Sequence, residues 1–315
     1  MEKKTINHEL SFKYLQGRRT TCLEEKKIEY QGCQYNVPVI KFMPFIELDW
    51  LEHGFSTREG GVSEGIYRSM NLSFSQGDDA EKVMKNHGIM GAYFGKAYDS
   101  MIYSHQTHTT NVLKVEEKNA GMGFVKERSF KEVDGFVTNR PGILLITAYA
   151  DCVPLFFADT RLHVIGLSHS GWRGTVNNMA GVTVDKLKEE YGSKPEDIVA
   201  FIGPSICRDC YEVGYEVAEH FYNIYRNTGL VSYDEAPQEY ILSAKTLEKE
   251  KAVTEKKYYL NLHAANRVNL ENAGLLPNNI YTTDICTCCN PDILFSHRAS
   301  KGKRGGLCGY LMIKD

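Results

Sequence analysis

The chain lacks an apolar run long enough to cross a membrane. Its longest apolar stretch, Gly142 to Ala158, is interrupted by Asp151 and Pro154 and falls short of the roughly 20 residues that a spanning helix needs. The opening MEKKTINHELSF has no apolar core of a secretory signal, and neither end carries a lipidation motif. Charge of one sign is also scarce. With 37 Lys plus Arg against 40 Asp plus Glu, the net charge is −3, which gives no electrostatic reason to expect nucleic acid as a partner. There is no internal repeat and no low-complexity block. Apolar residues at 42% and charged residues at 24% of 315 positions exclude disorder, collagen and coiled coil as the main organisation.

An even, export-associated set of cysteines is missing as well. The nine cysteines are 22, 33, 152, 207, 210, 286, 288, 289 and 308. An odd count without an export signal argues for reduced thiols in the cytoplasm, some of them available as metal ligands.

Three segments read as buried strands: GILLITAY (142–149), LHVIGLSH (162–169) and IVAFIG (198–203). Helices stand between and after them. Thr175 can cap one with the stripe Val176, Ala180, Val184, Leu187 and Tyr191, stopped by Gly192 with Pro195 beyond. Val213, Val217, Phe221 and Ile224 mark a second. A third starts near Asn261 and ends at Gly274, and Asp78 or Asp79 caps a fourth carrying Val83, Met90 and Phe94. This order predicts an α/β or α+β fold, with stacked mixed sheets flanked by helices in a single domain. Residues 1–35 read as an N-terminal extension with one hairpin, residues 36–315 as the main domain, 226–257 as an insertion, and 126–133 as a solvated loop.

The informative stretch is ADCVPLFFADTRLHVIGLSHSGWRG, 150–174. Two apolar segments flank a polar turn. A hairpin centred between Thr160 and Arg161 pairs Cys152 with His169 on one face, with Cβ atoms roughly 5 Å apart. Such a pair can share a zinc ion, provided the loop has even length. Pro154 argues for an edge or a distortion in the first strand. SHQTH offers His105 or His108 as a third ligand; Cys with two His and an open fourth position is a catalytic zinc pattern. The residues alone leave equally open that Cys152 is a buried thiol and the histidines are ordinary hydrogen-bonded side chains.

The loop HSGWRG then enters a helix. Its glycines allow close backbone approach, the helix start favours an anion, and Arg173 adds a fork suited to phosphate. Alternatively, Trp172 and Arg173 only pack the loop. Arg58 in HGFSTREGGVSEG, Asn71 in MNLSF and Arg298 in FSHR are further substrate candidates; each arginine alone reads more readily as a surface residue or a structural ion pair. Two Cys-x-x-Cys pairs, Cys207/Cys210 and Cys286/Cys289, stand 76 residues apart between Cys210 and Cys286, far beyond a zinc-ribbon spacing. Tyr211 is read as opening a helix directly. Both points weigh against a second metal site. The remaining histidines read as structural.

Taken in order, HGFSTREGGVS, NLSFSQGDD, SHQTH, DGFVTN, TAYADCVPLFFAD, HSGWRGT, IGPSICRDCYEVGYEV, NLHAANRVNLENAG, CTCCNPDILFSHR and LCGYLMI resemble the multicopper polyphenol oxidase (laccase-domain) family. That family was later reassigned as zinc-dependent purine nucleoside phosphorylases, and some members are called peptidoglycan-editing factors. The resemblance runs from about residue 50 to the end. It implies that His108, Cys152 and His169 bind zinc, with Gln106 fixing the Gln-x-His register. It also implies that Arg58, Asn71, Arg173 and Arg298 line the substrate pocket. Two departures stand out: KGKRGGLC carries its arginine displaced to Arg304, and FSHR replaces the commoner FSYR.

The implied activity is phosphorolysis of adenosine, inosine, guanosine and S-methyl-5′-thioadenosine, with phosphate as co-substrate and adenosine deamination as a side activity. Cys152 and Arg173 are the expected catalytic residues. Copper oxidation is disfavoured, because no His-x-His pair exists in the chain, although copper outranks zinc in raw affinity at such a site. The rival readings are a hydrolase that edits a peptidoglycan precursor with Cys152 as thiolate nucleophile, and a non-catalytic nucleotide-binding module. The sequence does not fix the oligomeric state.

Overall fold

Alternating apolar residues build two layers that are buried on both faces. The computed structural model describes residues 11–244 and 251–315. One sheet has the order β1 (Thr21–Tyr30), β2 (Cys33–Phe42), β3 (Leu51–Ser56), β15 (Leu307–Ile313), β7 (Leu144–Tyr149) and β4 (Met101–Tyr103). The second runs β14 (Ile280–Thr282), β10 (Ile198–Ile202), β8 (Val153–Asp159), β9 (Val164–Ser170), β6 (Gly135–Thr138) and β5 (Val112–Lys114). A small third sheet orders β11 (Glu212–Val213), β13 (Tyr258–Leu260) and β12 (Leu242–Ala244).

The two large sheets pack face to face. Successive strand side chains point to opposite faces, so Leu307, Leu311 and Ile313 of β15 face the inter-sheet core while Cys308, Tyr310 and Met312 face outward. In β8, Phe156 and Ala158 point inward while Leu155 and Phe157 point outward. Phe42 from one sheet stacks on Phe201 of the other at 4.1 Å and meets Phe156 edge-on at 4.7 Å. Each such fully buried ring contributes about 2–3 kcal/mol.

Helices cover the outer faces. α1 (Met43–Ile46) is a single turn after β2. α2 (Ala80–Tyr93) lays Ile89, Met90 and Tyr93 on the first sheet. α4 (Met179–Tyr191), α5 (Tyr215–Tyr225) and α6 (Leu262–Asn272) cover the second, through Val184, Leu187, Phe221 and Leu270 among others. The α/β expectation therefore holds, with mixed parallel and antiparallel pairing in stacked sheets. No helix among the described residues is long and apolar enough to cross a membrane.

Several local readings need correction. Thr175 is not a cap: it lies inside the short α3 (Trp172–Val176). Asn178 instead caps α4 from a left-handed conformation, accepting from Gly181 N. The helix marked from Val213 starts at Tyr215 and buries Ala218, Phe221 and Tyr225, while Val213 belongs to β11 and Ile224 is exposed. Tyr211 therefore precedes a strand rather than opening a helix. Asp79 and Asn261 do cap α2 and α6. The hairpin of the N-terminal region is β1–β2 and extends to Phe42, at the edge of the first sheet. Of the stretch read as an insertion, β12 is paired to β13; residues 245–250 lie outside the described residues, as do residues 1–10 of the N-terminal region.

Candidate active site

The β8–β9 hairpin closes through the four residues Thr160 to His163, so Pro154 pairs with His169 and Val153 with Ser170. The pairing is thus two residues away from the expected Cys152–His169 match. A slip of two preserves the face, because side chains alternate with period two. Cys152, one residue ahead of β8, remains on the face that carries His169. Nor is β8 an edge strand, since it lies between β10 and β9. Pro154 is tolerated because its carbonyl, and with it the nitrogen lacking a proton, faces the side where β10 has ended. Gly203 N donates to Pro154 O there at 2.8 Å. A Cβ on Gly203 would meet Pro154 Cγ at 2.7 Å.

The end of β9, the start of β8 and the starts of β6 and β5 lie together along one edge of the second sheet. His108 is in the loop leading from β4 to β5. His108, Cys152 and His169 come together there, each offering a ligand atom within 4.8 Å of the others. His105 does not join them; its Nδ1 accepts from Glu132 N at 3.0 Å.

Asp134, immediately before β6, ties this group together. Its fully buried carboxylate accepts from His169 Nδ1 at 2.8 Å, His108 N at 3.1 Å, Thr107 N at 3.1 Å, Thr109 N at 3.0 Å and Thr109 Oγ1 at 2.9 Å. A carboxylate on Nδ1 fixes the tautomer and leaves Nε2 for a metal. Gln106 adds a brace, donating from Nε2 to Ala148 O at 2.8 Å and accepting from Ala148 N at 2.7 Å. Both His108 (φ 64°) and Asp151 (φ 87°) adopt left-handed backbone conformations, an unfavourable state for non-glycine residues that persists only where surroundings enforce it. For Asp151 the enforcing contacts are Thr287 Oγ1 at 2.6 Å, Arg298 N at 2.7 Å and Ile206 N at 3.1 Å. Sequence reasoning missed Asp134 and Asp151 as organisers. Asp134 appears only within DGFVTN, and neither spacing nor periodicity marks a buried carboxylate.

Charge follows geometry. Burial works to raise the Cys152 thiol, but the His169 and His108 imidazoles more than offset it and bring the thiol down to about 6. Burial works to lower His169, but Cys152 and Asp134 raise it to about 9. The resting pair is therefore a thiolate facing an imidazolium. This donor set fits a divalent metal, as does the space around it: a Cβ on Gly171 would stand 3.0 Å from Cys152 Sγ and 3.1 Å from His108 Cδ2. Three protein ligands with a free corner is the arrangement of catalytic zinc sites.

The group opens into a cavity of about 190 Å³, lined also by Ser73, Gln106, Tyr149 and Arg304. An adjoining recess of about 430 Å³ shares Ser73, Ser75, Gln106 and Ala148 with it and adds Phe74, Tyr103 and Arg128. A larger recess of about 630 Å³ near Arg18, Arg208 and His263 touches none of the three candidate ligands. Chemistry rather than size selects the smaller cavity.

Arg304, noted in the sequence only as a displaced residue, points into the site with a buried Nε that has no hydrogen-bond partner. Burial lowers its pKa, against the pull of Asp151 and Cys152. Of the expected arginines, Arg58 and Arg298 are engaged elsewhere. Arg58 donates to Arg68 O at 2.9 Å and Pro291 O at 2.7 Å. The exposed Arg298 donates to Glu212 O at 2.8 Å. Arg173 is exposed, with its guanidinium carbon 4.4 Å from the Trp172 ring centre. Asn71 is fully buried and holds Asp78 Oδ2 at 2.9 Å, Ser73 N at 3.0 Å and Gly306 N at 2.8 Å. It therefore shapes the rim that Ser73 and Gly306 contribute.

Residues 52–314 match the family described as multi-copper polyphenol oxidoreductase laccase. The chain belongs to that family. A Bacillus subtilis relative, purine nucleoside phosphorylase YlmD, is 32% identical over 83% of this chain and 88% of its own. Adenosine deaminase RL5, from an unknown prokaryotic organism, is 32% identical over 78% of this chain and 87% of its own. Among solved structures, the hypothetical protein YfiH of Bacillus licheniformis superposes with a TM-score of 0.76 at 28% identity, covering 88% of this chain and 96% of that one. The first two of these are named as enzymes of purine nucleosides, in line with the reassigned reading of the family rather than its laccase title. In this member of the family, the metal-capable group next to the cavity is His108, Cys152 and His169.

Proposed function

We propose that this protein is a purine nucleoside phosphorylase that cleaves adenosine, inosine, guanosine and S-methyl-5′-thioadenosine with phosphate. In this reading His108, Cys152 and His169 hold zinc. The observation that carries the proposal is the convergence of these three ligands on a cavity that also receives the half-buried Arg304, whose Nε is buried without a partner while its Nη1 donates to Gly305 O at 3.0 Å. Relatives named as purine nucleoside phosphorylases support it.

The recess with Phe74 and Tyr103 takes the purine, whose flat apolar faces suit aromatic walls. Arg304 holds phosphate from inside the cavity, and the exposed Arg173 adds a second cation from the short helix that follows Gly171. A phosphate oxygen then forms a bond to the anomeric carbon. The carbon–nitrogen bond breaks, its electron pair leaves with the base, and the base nitrogen takes up the proton that the phosphate gives up. Fixing the two reactants against each other and matching charge supply most of the barrier reduction. Held by His108, Cys152 and His169, zinc would supply Lewis acidity beside the cavity. Asp134 keeps the His169 ring oriented, and Gly171 leaves room beside the ligands. Arg58, Asn71 and Arg298 hold the surrounding loops through the bonds described above.

Adenosine deamination is the second activity, supported by the relative named adenosine deaminase. It requires the opposite placement, with the amino-bearing edge of the base toward the His–Cys–His group. The test is chromatographic. Protein with adenosine and phosphate should release adenine and ribose 1-phosphate, with no adenine when phosphate is omitted. Inosine would report deamination. Zinc-loaded protein that yields neither adenine nor inosine would overturn the reading.

A further inference from the structure

A second group of metal-type ligands lies outside this cavity. β10 and β14 run parallel, with Ile202 beside Thr282, so the loops that follow them emerge together at the same end of the sheet. Cys207 and Cys210 sit on the first loop, Cys286 and Cys289 on the second. Ser205 bridges to Cys286, and Thr287 N donates to Ser205 O at 3.1 Å. The 75 residues between the two pairs are taken up by α5, the small sheet, α6 and β14. The distance along the chain that weighed against a shared site therefore disappears in space.

All four sulfurs lie within 4.8 Å of one another. Cys210 Sγ is 3.5 Å from Cys289 Sγ, and Cys207 Sγ is 4.0 Å from Cys289 Sγ. Four thiolates around a zinc ion at a Zn–S distance of about 2.3 Å stand about 3.8 Å apart. A disulfide needs about 2.0 Å. Cys207 N donates to Cys286 Sγ at 3.2 Å, the kind of outer bond that supports a metal-bound thiolate. Cys286 and Cys207 are buried, and the other two are half-buried.

We infer that Cys207, Cys210, Cys286 and Cys289 form a closed tetrahedral site for a second thiophilic divalent cation, zinc, which clamps the two loops that hold Asp151. With four protein ligands and no free corner, the site is structural. Its loops supply Ile206 N and Thr287 Oγ1, two of the three groups that fix Asp151, and Asp151 is the residue ahead of Cys152. The cluster therefore acts on the first site through the backbone.

The test is metal content and spectrum, neither of which depends on turnover. Wild-type protein prepared under reducing conditions should carry two zinc ions per chain by native mass spectrometry. The double variant His108→Ala/His169→Ala should keep one. After exchange to cobalt, that variant should show the intense thiolate charge-transfer band of a four-sulfur site. The variant Cys210→Ser/Cys289→Ser should also keep one ion, with the weaker spectrum of a single-thiolate site and a lower melting temperature. The inference falls if wild-type protein holds one ion that disappears with His108 and His169. It falls equally if Cys210 and Cys289 are found joined as a disulfide. Because the decisive spectrum comes from protein with all four cysteines intact, poor folding of the serine variant leaves the result readable. Absence of phosphorolysis would count against the proposed activity and leave the metal count standing.

Discussion

The His–Cys–His group and the four-cysteine cluster sit in one chain and use overlapping ligand chemistry, yet they are built in opposite ways. The first stands on strand ends, with a buried carboxylate behind it, strained backbone on two sides and a cavity in front. The second joins two loops and surrounds its own centre. An open corner can take a substrate or a water, whereas a closed shell can only hold protein. Ligand identity alone therefore does not separate catalysis from structure; the number of ligands and what faces them do.

The largest expected effect breaks the comparison on the open side. Cys152→Ala or His169→Ala should lower kcat/KM for phosphorolysis by more than about 100-fold, beyond what loss of a supporting group costs, while the cysteine cluster keeps its ion. Activity that survives either change would remove the metal from the mechanism. Asp134→Asn comes next, with a loss of about 10–100-fold in metal affinity or activity, measured by competition with a chelating dye. An unchanged affinity would reduce Asp134 to a packing residue. Arg304→Ala should raise KM for phosphate by about 10–100-fold, the worth of charge-assisted hydrogen bonds at about 1.5–3 kcal/mol, with KM for the nucleoside nearly constant.

Acidity gives a sharper contrast. The Cys152 thiol lies near 6 and His169 near 9 in the metal-free protein, so between those values the pair holds one proton. Metal loading expels it. Affinity at this site should therefore rise about tenfold per pH unit between about 6 and 9 and level off above. A flat profile across that window would contradict the thiolate–imidazolium pair. The smallest effect is expected from Gly171→Ala, whose methyl would press on Cys152 Sγ and His108 Cδ2 at 3.0 and 3.1 Å. A few-fold loss of metal affinity with little change in melting temperature is expected, since contacts that close are relieved by small shifts.

Much of this was legible from the chain. Apolar runs bounded by turn residues located β7, β9 and β10, and capping residues located α2 and α6. The hairpin argument put Cys152 and His169 on one face although its centre was misplaced, because only the parity of the loop matters for facing. Asp134 was illegible, since a carboxylate before a strand looks like any turn residue until the strands on either side are known. The cysteine cluster was illegible because the side-by-side pairing of β10 and β14 is non-local. Asn178 won over Thr175 as a cap because its amide reaches Gly181 N from a left-handed backbone, which no apolar stripe reports.

β15 lies in the middle of its sheet, with Leu311 paired to His53 on one side and Leu145 on the other. These are among the most distant partners in the chain, and such contacts are slow to form. Arg304 and Gly306, on the segment leading into β15, line the cavity. Refolding should therefore regain helical signal well before it regains a working cleft, and chains caught in the interval present the bare flanks of β3 and β7 as sites for aggregation.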